Sequence, residues 1–297
     1  MTVTVRVPAK VNVQLAVGAA RADGFHDLAN VFLAVGLYDE ITVTPADTLR
    51  VTCAGPDADK VPLDRTNLAA RAALALAERY GRAPDVHIHI AKDIPVAGGM
   101  AGGSADGAGA LLACDALWGT RASRDELLDI CAELGSDVPF SLVGGAALGT
   151  GRGEKLTALD VGGTFHWVFA FAQRGLSTPA VFREFDRLGE DTDIPEPVAS
   201  QPLIDALAKG DPDALAATVT NDLQPAALSL FPELADTLAA GRAAGALAAL
   251  VSGSGPTTAF LTRDADSATQ VAAALHASGT CRSVRTATGP AQGATVG

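Results

Sequence analysis

The stretch Ile94-Pro-Val-Ala-Gly-Gly-Met-Ala-Gly-Gly-Ser104 separates two regular patterns. The run before it, Asp85–Ala91, alternates apolar and polar residues and predicts a strand, while residues 104–118 carry the apolar spacing of a helix. Glycines allow left-handed backbone angles and let another group approach the amides closely. Such a turn, followed by the N-terminus of a helix, is suited to bind an anion. The stretch therefore predicts a phosphate-binding loop, with a flexible turn that binds nothing as the alternative.

The composition of the 297-residue chain limits its class. Hydrophobic residues make up 48% of the chain, which is enough for a substantial core, and the length suits one large domain or two ordinary ones. The formal net charge of −12 is unlike the basic face of a nucleic-acid-binding protein, so we expect no nucleic-acid partner. Since only five lysines are present, the position of each is informative.

Cysteine spacing and hydropathy indicate the compartment. The four cysteines are scattered without a C-x-x-C pair, which argues against a zinc site and against a disulfide framework. The chain opens on a strand pattern instead of a signal region, and no apolar run approaches the ~20 residues that span a bilayer. We therefore expect a soluble, cytoplasmic protein with no membrane partner.

Strand and helix patterns mix along the chain without regular βαβ alternation, which favours an α+β fold. We predict an N-terminal domain over residues 1–157 that ends after a glycine-rich segment, and a C-terminal domain over residues 158–287. Residues 288–297 are rich in Gly, Ala, Thr and Pro and predict a disordered tail.

Several common nucleotide-binding signatures are absent. The sequence has no G-x-x-x-x-G-K-[ST] motif, so it is not a P-loop protein. It has neither an H-R-D nor a D-F-G motif, which excludes a protein kinase. The G-x-G-x-x-G fingerprint is also missing, so a dinucleotide site is a weak interpretation.

Three further stretches carry candidate chemistry. Lys10 and Asn12, in Pro8–Asn12, are two apart in an extended run and share one face; the alternative is a strand lysine that reaches solvent. Asp137 stands at a predicted helix start, where an ordinary N-cap is the commoner role. Val251–Thr257 is a second glycine-rich turn with two serines, and its alternative is a simple hairpin.

Together, Pro8–Asn12, Pro95–Ala105 and Ser252–Pro256 resemble, in order, the three motifs of the GHMP kinase superfamily. The resemblance covers nearly the whole chain except the tail. It implies an ATP-dependent small-molecule kinase with two α+β domains. The expected fold is an N-terminal ribosomal protein S5 domain 2-like unit and a C-terminal ferredoxin-like α/β sandwich, with the active site in the interdomain cleft.

Finer features resemble one branch of this superfamily. They are Arg21–Leu28, Leu134–Phe140 and Leu176–Phe182. The resemblance implies phosphorylation of the 2-hydroxyl of 4-diphosphocytidyl-2-C-methyl-D-erythritol, a step of the non-mevalonate route to isoprenoid precursors. The alternatives are a GHMP kinase for another small alcohol and a non-catalytic nucleotide-binding protein. A monomer and a homodimer are both compatible with the sequence.

The resemblance also implies residue roles in phosphoryl transfer. Asp137 would be the catalytic base and Lys10 its partner, able to stabilise charge on the moving phosphoryl group. Asn67 and Lys92 match positions near the adenine. Mg²⁺ would arrive bound to ATP, with Ser104 either touching it or only capping the helix. The loop residues that would contact ATP are Pro95, Val96, Ala97, Gly98, Gly99, Met100, Ala101, Gly102, Gly103, Ser104 and Ala105.

For the substrate, the resemblance implies an aromatic sandwich around the cytosine. Phe25 and Phe182 match the stacking positions, His26 matches a hydrogen-bonding position, Ser177 and Thr178 flank the pocket, and Asn12 would orient a reacting group. Without the motif context, helix core and loop surface are the simpler interpretations of Phe182 and His26.

The chain departs from the superfamily's usual sequence in a few places. Ala105 stands where a second serine is frequent, and Phe25 stands where tyrosine is frequent. Gly107 and Gly109 replace better helix formers, at a cost of up to about 1 kcal/mol each. His87 and His89 share a strand face in the manner of a metal pair, but solvent-facing strand residues are the simpler interpretation.

Overall fold

The computed structural model describes all 297 residues, in twelve strands and ten α-helices. The strands are β1 (Val3–Ala20), β2 (His26–Pro45), β3 (Arg50–Ala54), β4 (Val86–Ala91), β5 (Ala146–Thr150), β6 (Lys155–Leu159), β7 (Phe165–Phe171), β8 (Thr220–Asn221), β9 (Ala248–Val251), β10 (Thr258–Thr262), β11 (Ser283–Gly289) and β12 (Thr295–Val296). The helices are α1 (Leu68–Arg79), α2 (Gly102–Trp118), α3 (Arg124–Leu134), α4 (Val138–Val143), α5 (Thr178–Leu188), α6 (Gln201–Lys209), α7 (Pro212–Ala216), α8 (Gln224–Leu230), α9 (Leu234–Ala243) and α10 (Ala265–Ser278). No helix combines the length and apolar character that crossing a membrane requires.

The first sheet is built on two long antiparallel strands, β1 and β2. Its main path runs β12-β1-β2-β4-β3, while β5 and β8 join β2 and β1 and β6 extends from β5. The sequence predicts separate extended runs on either side of Pro8, but the structure has one strand whose register shifts between Pro8 and Ala9. Proline has no N–H for the ladder, so it is tolerated at such an irregularity. This register carries Lys10 and Asn12 toward the middle of the sheet.

Glycines in helix α2 allow it to pack closely against the first sheet and α1. A Cβ on Gly109 would lie 2.5 Å from Ile41 Cγ1 and 2.8 Å from Val7 Cγ2. A Cβ on Gly107 would lie 3.2 Å from Leu68 Cβ at the start of α1. The two glycines therefore offset their poor helix propensity by letting α2 approach the sheet and α1, a role that the sequence alone does not reveal.

The second sheet has four antiparallel strands in the order β11-β7-β10-β9. Strand β7 has the bounds that its apolar run predicts, and Phe165, Trp167 and Phe169 are fully buried. The predicted boundary between residues 157 and 158 falls inside β6, and the chain passes from the first sheet to the second between Leu159 and Phe165. The α+β class of the fold is confirmed.

The prediction of a disordered tail over residues 288–297 is wrong. Strand β12 pairs antiparallel with Val5 and Arg6 at the edge of the first sheet, and Ala291 is buried. A Cβ on Gly293 would lie 2.4 Å from the Leu142 carbonyl oxygen. Small residues, which suggest disorder by composition, here let the last segment run against the backbone beside α4.

Candidate active site

A cavity of about 610 Å³ lies where the glycine-rich loop between β4 and α2 meets the loop between β9 and β10. The two loops are hydrogen-bonded: the Thr257 amide donates to the Gly98 carbonyl at 3.2 Å, and the Ser252 hydroxyl donates to the Gly99 carbonyl at 3.1 Å. One loop belongs to each sheet, so the cavity opens between the two halves of the fold, where the resemblance places an active site.

Left-handed backbone angles were expected at the glycines of the loop, but the structure has them at two alanines and one glycine. Left-handed backbone occurs at Ala97 (φ 52°), Gly99 (φ 76°) and Ala101 (φ 60°). Gly102 instead provides space, since a Cβ there would lie 2.9 Å from Lys92 Nζ. Gly103 is exposed, and its Cβ would meet only Leu68 Cδ1 at 3.8 Å, an ordinary contact. The surface of Gly103 is therefore open toward the cavity that it lines.

Ser104 does not cap α2, which was one of the two roles left open for it. The helix begins two residues earlier, at Gly102, with Ala101 as N-cap in a left-handed conformation and no side-chain cap. Because helices leave their first N–H groups without intrahelical partners, the first turn of α2 offers amides to a ligand. Ser104 lies in that turn, lines the cavity and has a hydroxyl that makes no protein hydrogen bond.

Lys10 reaches from β1 to the lip of the glycine-rich loop. Its Nζ donates to Asn12 Oδ1 at 2.6 Å and to the Gly99 carbonyl at 2.9 Å, and it lies 3.5 Å from Asp137 Oδ2. The side chain is only 5% exposed. Burial lowers the pKa of Lys10, and the neighbouring Asp137 carboxylate opposes that change. The ammonium thus joins strand, loop and carboxylate in one cluster.

Asp137 occupies the N-cap position of α4, yet its side chain makes no capping hydrogen bond. The carboxylate is 31% exposed and faces Lys10 at the cavity wall. An N-cap side chain normally accepts a bond from the first turn of its helix. The carboxylate of Asp137 is therefore available to a ligand, and the alternative of an ordinary cap does not describe it.

Asn12 is oriented by a residue that the sequence did not indicate. Its Nδ2 donates to Asn30 Oδ1 at 2.8 Å, which directs its own oxygen toward Lys10. Both asparagines are buried and both line the cavity. Asn30 pairs with Leu15 across β1 and β2, a register that only the folded sheet reveals.

A second group of cavity-lining residues includes the predicted base-binding residues. His26 Nε2 lies 2.7 Å from Asp186 Oδ1, and the centroids of the His26 and Phe182 rings are 5.0 Å apart. Phe25 is 49% exposed, with the Arg152 guanidinium 5.0 Å from its ring centroid. Phe25, His26, Phe182 and Arg152 all line the cavity. The structure therefore brings together two aromatic rings and a histidine in reach of one ligand.

Further lining residues were missed by sequence reasoning. Ser254 bonds to Thr178 through their hydroxyls at 2.8 Å, linking α5 to the second glycine-rich turn, which the sequence had singled out only as a motif. Arg152 and Asp186 lie in segments without a recognisable local signal. Arg183 and Gly253 also line the cavity.

Seven predicted residues do not line the cavity: Pro95, Val96, Met100, Ala105, Asn67, Lys92 and Ser177. Met100 and Ala105 are buried in the core beneath the loop, and Pro95 and Val96 lie on its other side. The side chain of Asn67 caps α1, accepting from the Ala69 amide and donating to the Pro62 carbonyl. The side-chain amide of Asn67 therefore stabilises the start of α1.

Lys92 is likewise engaged inside the protein. Its Nζ bonds to Asp39 Oδ2 and, at 2.9 Å, to Asp106 Oδ2, and its side chain is 1% exposed. Asp39 also accepts from the Asp93 and Ile94 amides, whereas Asp106 Oδ1 has no partner. Burial raises the pKa of Asp106 to about 8 despite the Lys92 charge. This cluster anchors β2, the start of the glycine-rich loop and α2 to one another.

No group of three or more His, Cys, Asp or Glu side chains is arranged to hold a metal ion. His87 and His89, the pair with metal-like spacing, both bond to the Thr52 hydroxyl, at 2.8 Å and 2.9 Å. Both histidines therefore bond to Thr52 on the neighbouring strand β3.

Comparisons with known proteins identify the family of the chain. The family model for the GHMP kinases N-terminal domain matches residues 67–145, and that for the GHMP kinases C-terminal domain matches residues 203–281. The 4-diphosphocytidyl-2-C-methyl-D-erythritol kinase of Streptomyces coelicolor is 84% identical over 100% of this chain and 99% of that one. The enzyme of the same name from Streptomyces avermitilis is 82% identical, with complete coverage of both chains.

Solved structures give the same result. A crystal structure of 4-(cytidine 5'-diphospho)-2C-methyl-D-erythritol kinase matches with a TM-score of 0.78 and 33% identity, over 97% of this chain and 99% of that one. Homoserine kinase from Cytophaga hutchinsonii matches with a TM-score of 0.75 at 20% identity, covering 99% and 97% of the two chains, and shares the fold. The chain therefore belongs to the GHMP kinase family, in the branch formed by the 4-diphosphocytidyl-2-C-methyl-D-erythritol kinases.

Proposed function

We propose that the protein transfers the γ-phosphoryl group of ATP to the 2-hydroxyl of 4-diphosphocytidyl-2-C-methyl-D-erythritol, in the non-mevalonate route to isoprenoid precursors. The observation that carries the proposal is the Lys10–Asp137 pair, with 3.5 Å between Nζ and Oδ2, at the lip of the glycine-rich loop. The names and the extent of similarity of the Streptomyces relatives support this substrate over other small alcohols.

The phosphates of ATP bind at the glycine-rich loop and the first turn of α2. Free amides and the positive end of the helix dipole favour anions there. Gly103 leaves its side of the turn open, and Ser104 presents an unbonded hydroxyl. Mg²⁺ prefers phosphate oxygens and water, so it would be bound by ATP and would neutralise phosphate charge there.

Asp137 acts as the base. Its carboxylate accepts the proton of the 2-hydroxyl while that oxygen forms a bond to the γ-phosphorus and the bond to the leaving oxygen of ADP breaks. Lys10 lies between Asp137 and the loop, so its charge stabilises both the carboxylate and the negative oxygens of the moving phosphoryl group. Asn12 and Asn30 hold the ammonium in place.

The cytosine binds between the rings of Phe25 and Phe182. Stacking of a base on an aromatic ring is worth roughly 1–3 kcal/mol per contact. His26 supplies a hydrogen bond to the base edge, and Thr178 with Ser254 flanks the site. With the cytosine bound there, the acceptor hydroxyl lies toward Asp137.

An ADP-release assay across candidate alcohols tests the proposal. We expect turnover with 4-diphosphocytidyl-2-C-methyl-D-erythritol and little with 2-C-methyl-D-erythritol 4-phosphate, which lacks the cytidyl group. Mevalonate and homoserine should give none. Comparable rates on an alcohol without a cytidyl group would assign the protein another substrate, and ATP binding without turnover on any alcohol would remove the kinase activity.

A further inference from the structure

His26 is held on three sides by one face of α5. Asp186 Oδ1 lies 2.7 Å from its Nε2, the Phe182 ring is tilted against it at 5.0 Å between centroids, and the Phe185 ring meets it edge-on at 6.0 Å. Residues 182, 185 and 186 are three and four apart, so they share a helix face. The imidazole is 4% exposed and cannot turn without breaking these contacts.

The contact with Asp186 determines where the imidazole proton lies. A carboxylate accepts hydrogen bonds but cannot donate one, and a neutral imidazole carries a single N–H. The proton of neutral His26 therefore lies on Nε2, between the ring and Asp186, and Nδ1 presents a lone pair. Nδ1 has no protein partner, and the residue lines the cavity.

Neighbouring charges leave Asp186 free for this contact. On the same helix, Glu184 and Arg187 bond to each other at 2.7 Å and 2.8 Å, and Glu184 also accepts from Ser229. Asp186 makes no other side-chain hydrogen bond or ion pair, and its side chain is 39% exposed at the cavity edge. Its single partner is thus a histidine 160 residues away in the chain.

We propose that Asp186 is a positioning residue for base selection, an inference that rests on the proposed function. By fixing the Nε2–H tautomer it makes Nδ1 of His26 an acceptor for the 4-amino group of cytosine. Uracil presents a carbonyl oxygen at the same position, and two facing acceptors leave a polar group unpaired. A site built on a hydrogen bond rejects the analogue that cannot make it. Asp186 therefore distinguishes a cytidyl from a uridyl substrate without touching either.

The test compares kcat/KM for 4-diphosphocytidyl-2-C-methyl-D-erythritol and its uridyl analogue in the wild type, Asp186→Asn and Asp191→Asn. An asparagine can both donate and accept, so it no longer selects one tautomer. We expect the cytidyl preference to fall by about ten-fold in Asp186→Asn, the loss of roughly one hydrogen bond, with the KM for ATP unchanged. Asp191 is exposed and bonds to nothing, so Asp191→Asn controls for the loss of one negative charge.

Two direct measurements keep the inference separate from the proposed function. Nitrogen-15 NMR of His26 in the wild type should show the proton on Nε2, and titrations with CMP and UMP should show tighter binding of CMP whether or not the enzyme turns over. A proton on Nδ1, equal binding of CMP and UMP, or an unchanged cytidyl preference in a folded Asp186→Asn variant would overturn the role of Asp186. Absence of turnover with selective CMP binding would overturn only the proposed reaction.

Discussion

At Lys10, burial and the neighbouring Asp137 carboxylate have opposite effects on the pKa, and burial has the larger one. The side chain is 5% exposed, and burial lowers its pKa, but Asn12, the Gly99 carbonyl and Asp137 all face its ammonium. The sequence placed Lys10 and Asn12 on one strand face, because a period of two is a local property. It could not reveal Asn30 or Asp186, because each meets its partner through the tertiary fold.

Phe25 offers a clean test of base stacking because it is 49% exposed and contributes little to the core. We expect Phe25→Ala to raise the KM for the cytidyl substrate roughly ten-fold to a hundred-fold, the equivalent of one stacking contact, and to leave the KM for ATP unchanged.

Steady-state kinetics with each substrate varied in turn checks this result. Leu188→Ala is the matched control, since Leu188 is 46% exposed and lies outside the cavity. Equal changes in both KM values for Phe25→Ala, or no change in either, would contradict stacking on this ring.

The sequence of helix α2 predicts only part of the role of that helix. The pattern predicted a helix there, and its C-terminal end at Trp118 is confirmed. Its start was misplaced because serine is a good cap by propensity, whereas the chain enters the helix through a left-handed Ala101.

Lys92 was placed near ATP, but Asp39 and Asp106 bind its ammonium inside the protein, and Asp39 is remote in sequence.

Alanine substitutions at two glycines of α2 should distinguish a role in ATP binding from a role in packing. Gly103→Ala adds a methyl group that meets no protein atom closer than 3.8 Å, so the free energy of unfolding should stay constant or rise by up to about 1 kcal/mol. The same methyl group would face the ATP phosphates, and we expect the KM for ATP to rise about ten-fold or more, as small displacements at a positioned site do.

Gly109→Ala is the matched variant. Its Cβ would lie 2.5 Å from Ile41 Cγ1, so we expect the free energy of unfolding to fall by about 1–3 kcal/mol through overpacking, with the KM for ATP nearly unchanged. Chemical denaturation and ATP kinetics on both variants check the pair. A Gly103→Ala enzyme with a normal KM for ATP would place the phosphates elsewhere.

The Lys92 cluster should make stability depend on pH. Because the pKa of Asp106 is raised to about 8, the native protein keeps a proton that the unfolded chain has released above its ordinary pKa of 3.8. Between these two pKa values the native state binds more protons than the unfolded state. The contribution of Asp106 to the free energy of unfolding therefore falls as the pH rises through this window. The pKa of Lys92 is also raised, but from 10.5, so that group titrates above the window.

Asp106→Asn cannot titrate and is the reference. We expect the difference in unfolding free energy, wild type minus Asp106→Asn, to decrease steadily between about pH 5 and pH 8. Denaturant unfolding at several pH values measures it. A difference that stays constant with pH would show that Asp106 does not hold the extra proton.

For the whole molecule, the pattern of elements predicted the α+β class, and the ordered motifs predicted a site between two halves; the fold class and the family are confirmed. The last segment was mistaken for a disordered tail, since pairing of β12 with β1 joins the two ends of the chain and no local pattern announces it. The short strand β5 was missed because it lies inside a glycine-rich segment that resembles a linker. Composition reflects the local conformational preference of a segment, whereas the structure of these segments depends on pairing with strands that are distant in sequence.

The central claim is that Asp137 is the base of a phosphoryl transfer that Lys10 and the glycine-rich loop support. Asp137→Asn keeps the shape of the side chain and removes the basic carboxylate, and the residue makes no capping bond whose loss would disturb α4. Asp129→Asn, on the exposed face of α3, is the control for a lost charge.

The decisive measurement is the single-turnover rate of phosphoryl transfer to 4-diphosphocytidyl-2-C-methyl-D-erythritol in Asp137→Asn, with ATP affinity measured on the same sample. We expect the rate to fall by about 10²- to 10⁴-fold while ATP still binds, as removal of a general base does. A rate within a few-fold of that of Asp129→Asn would contradict the account, because the proton would then leave the substrate by another route.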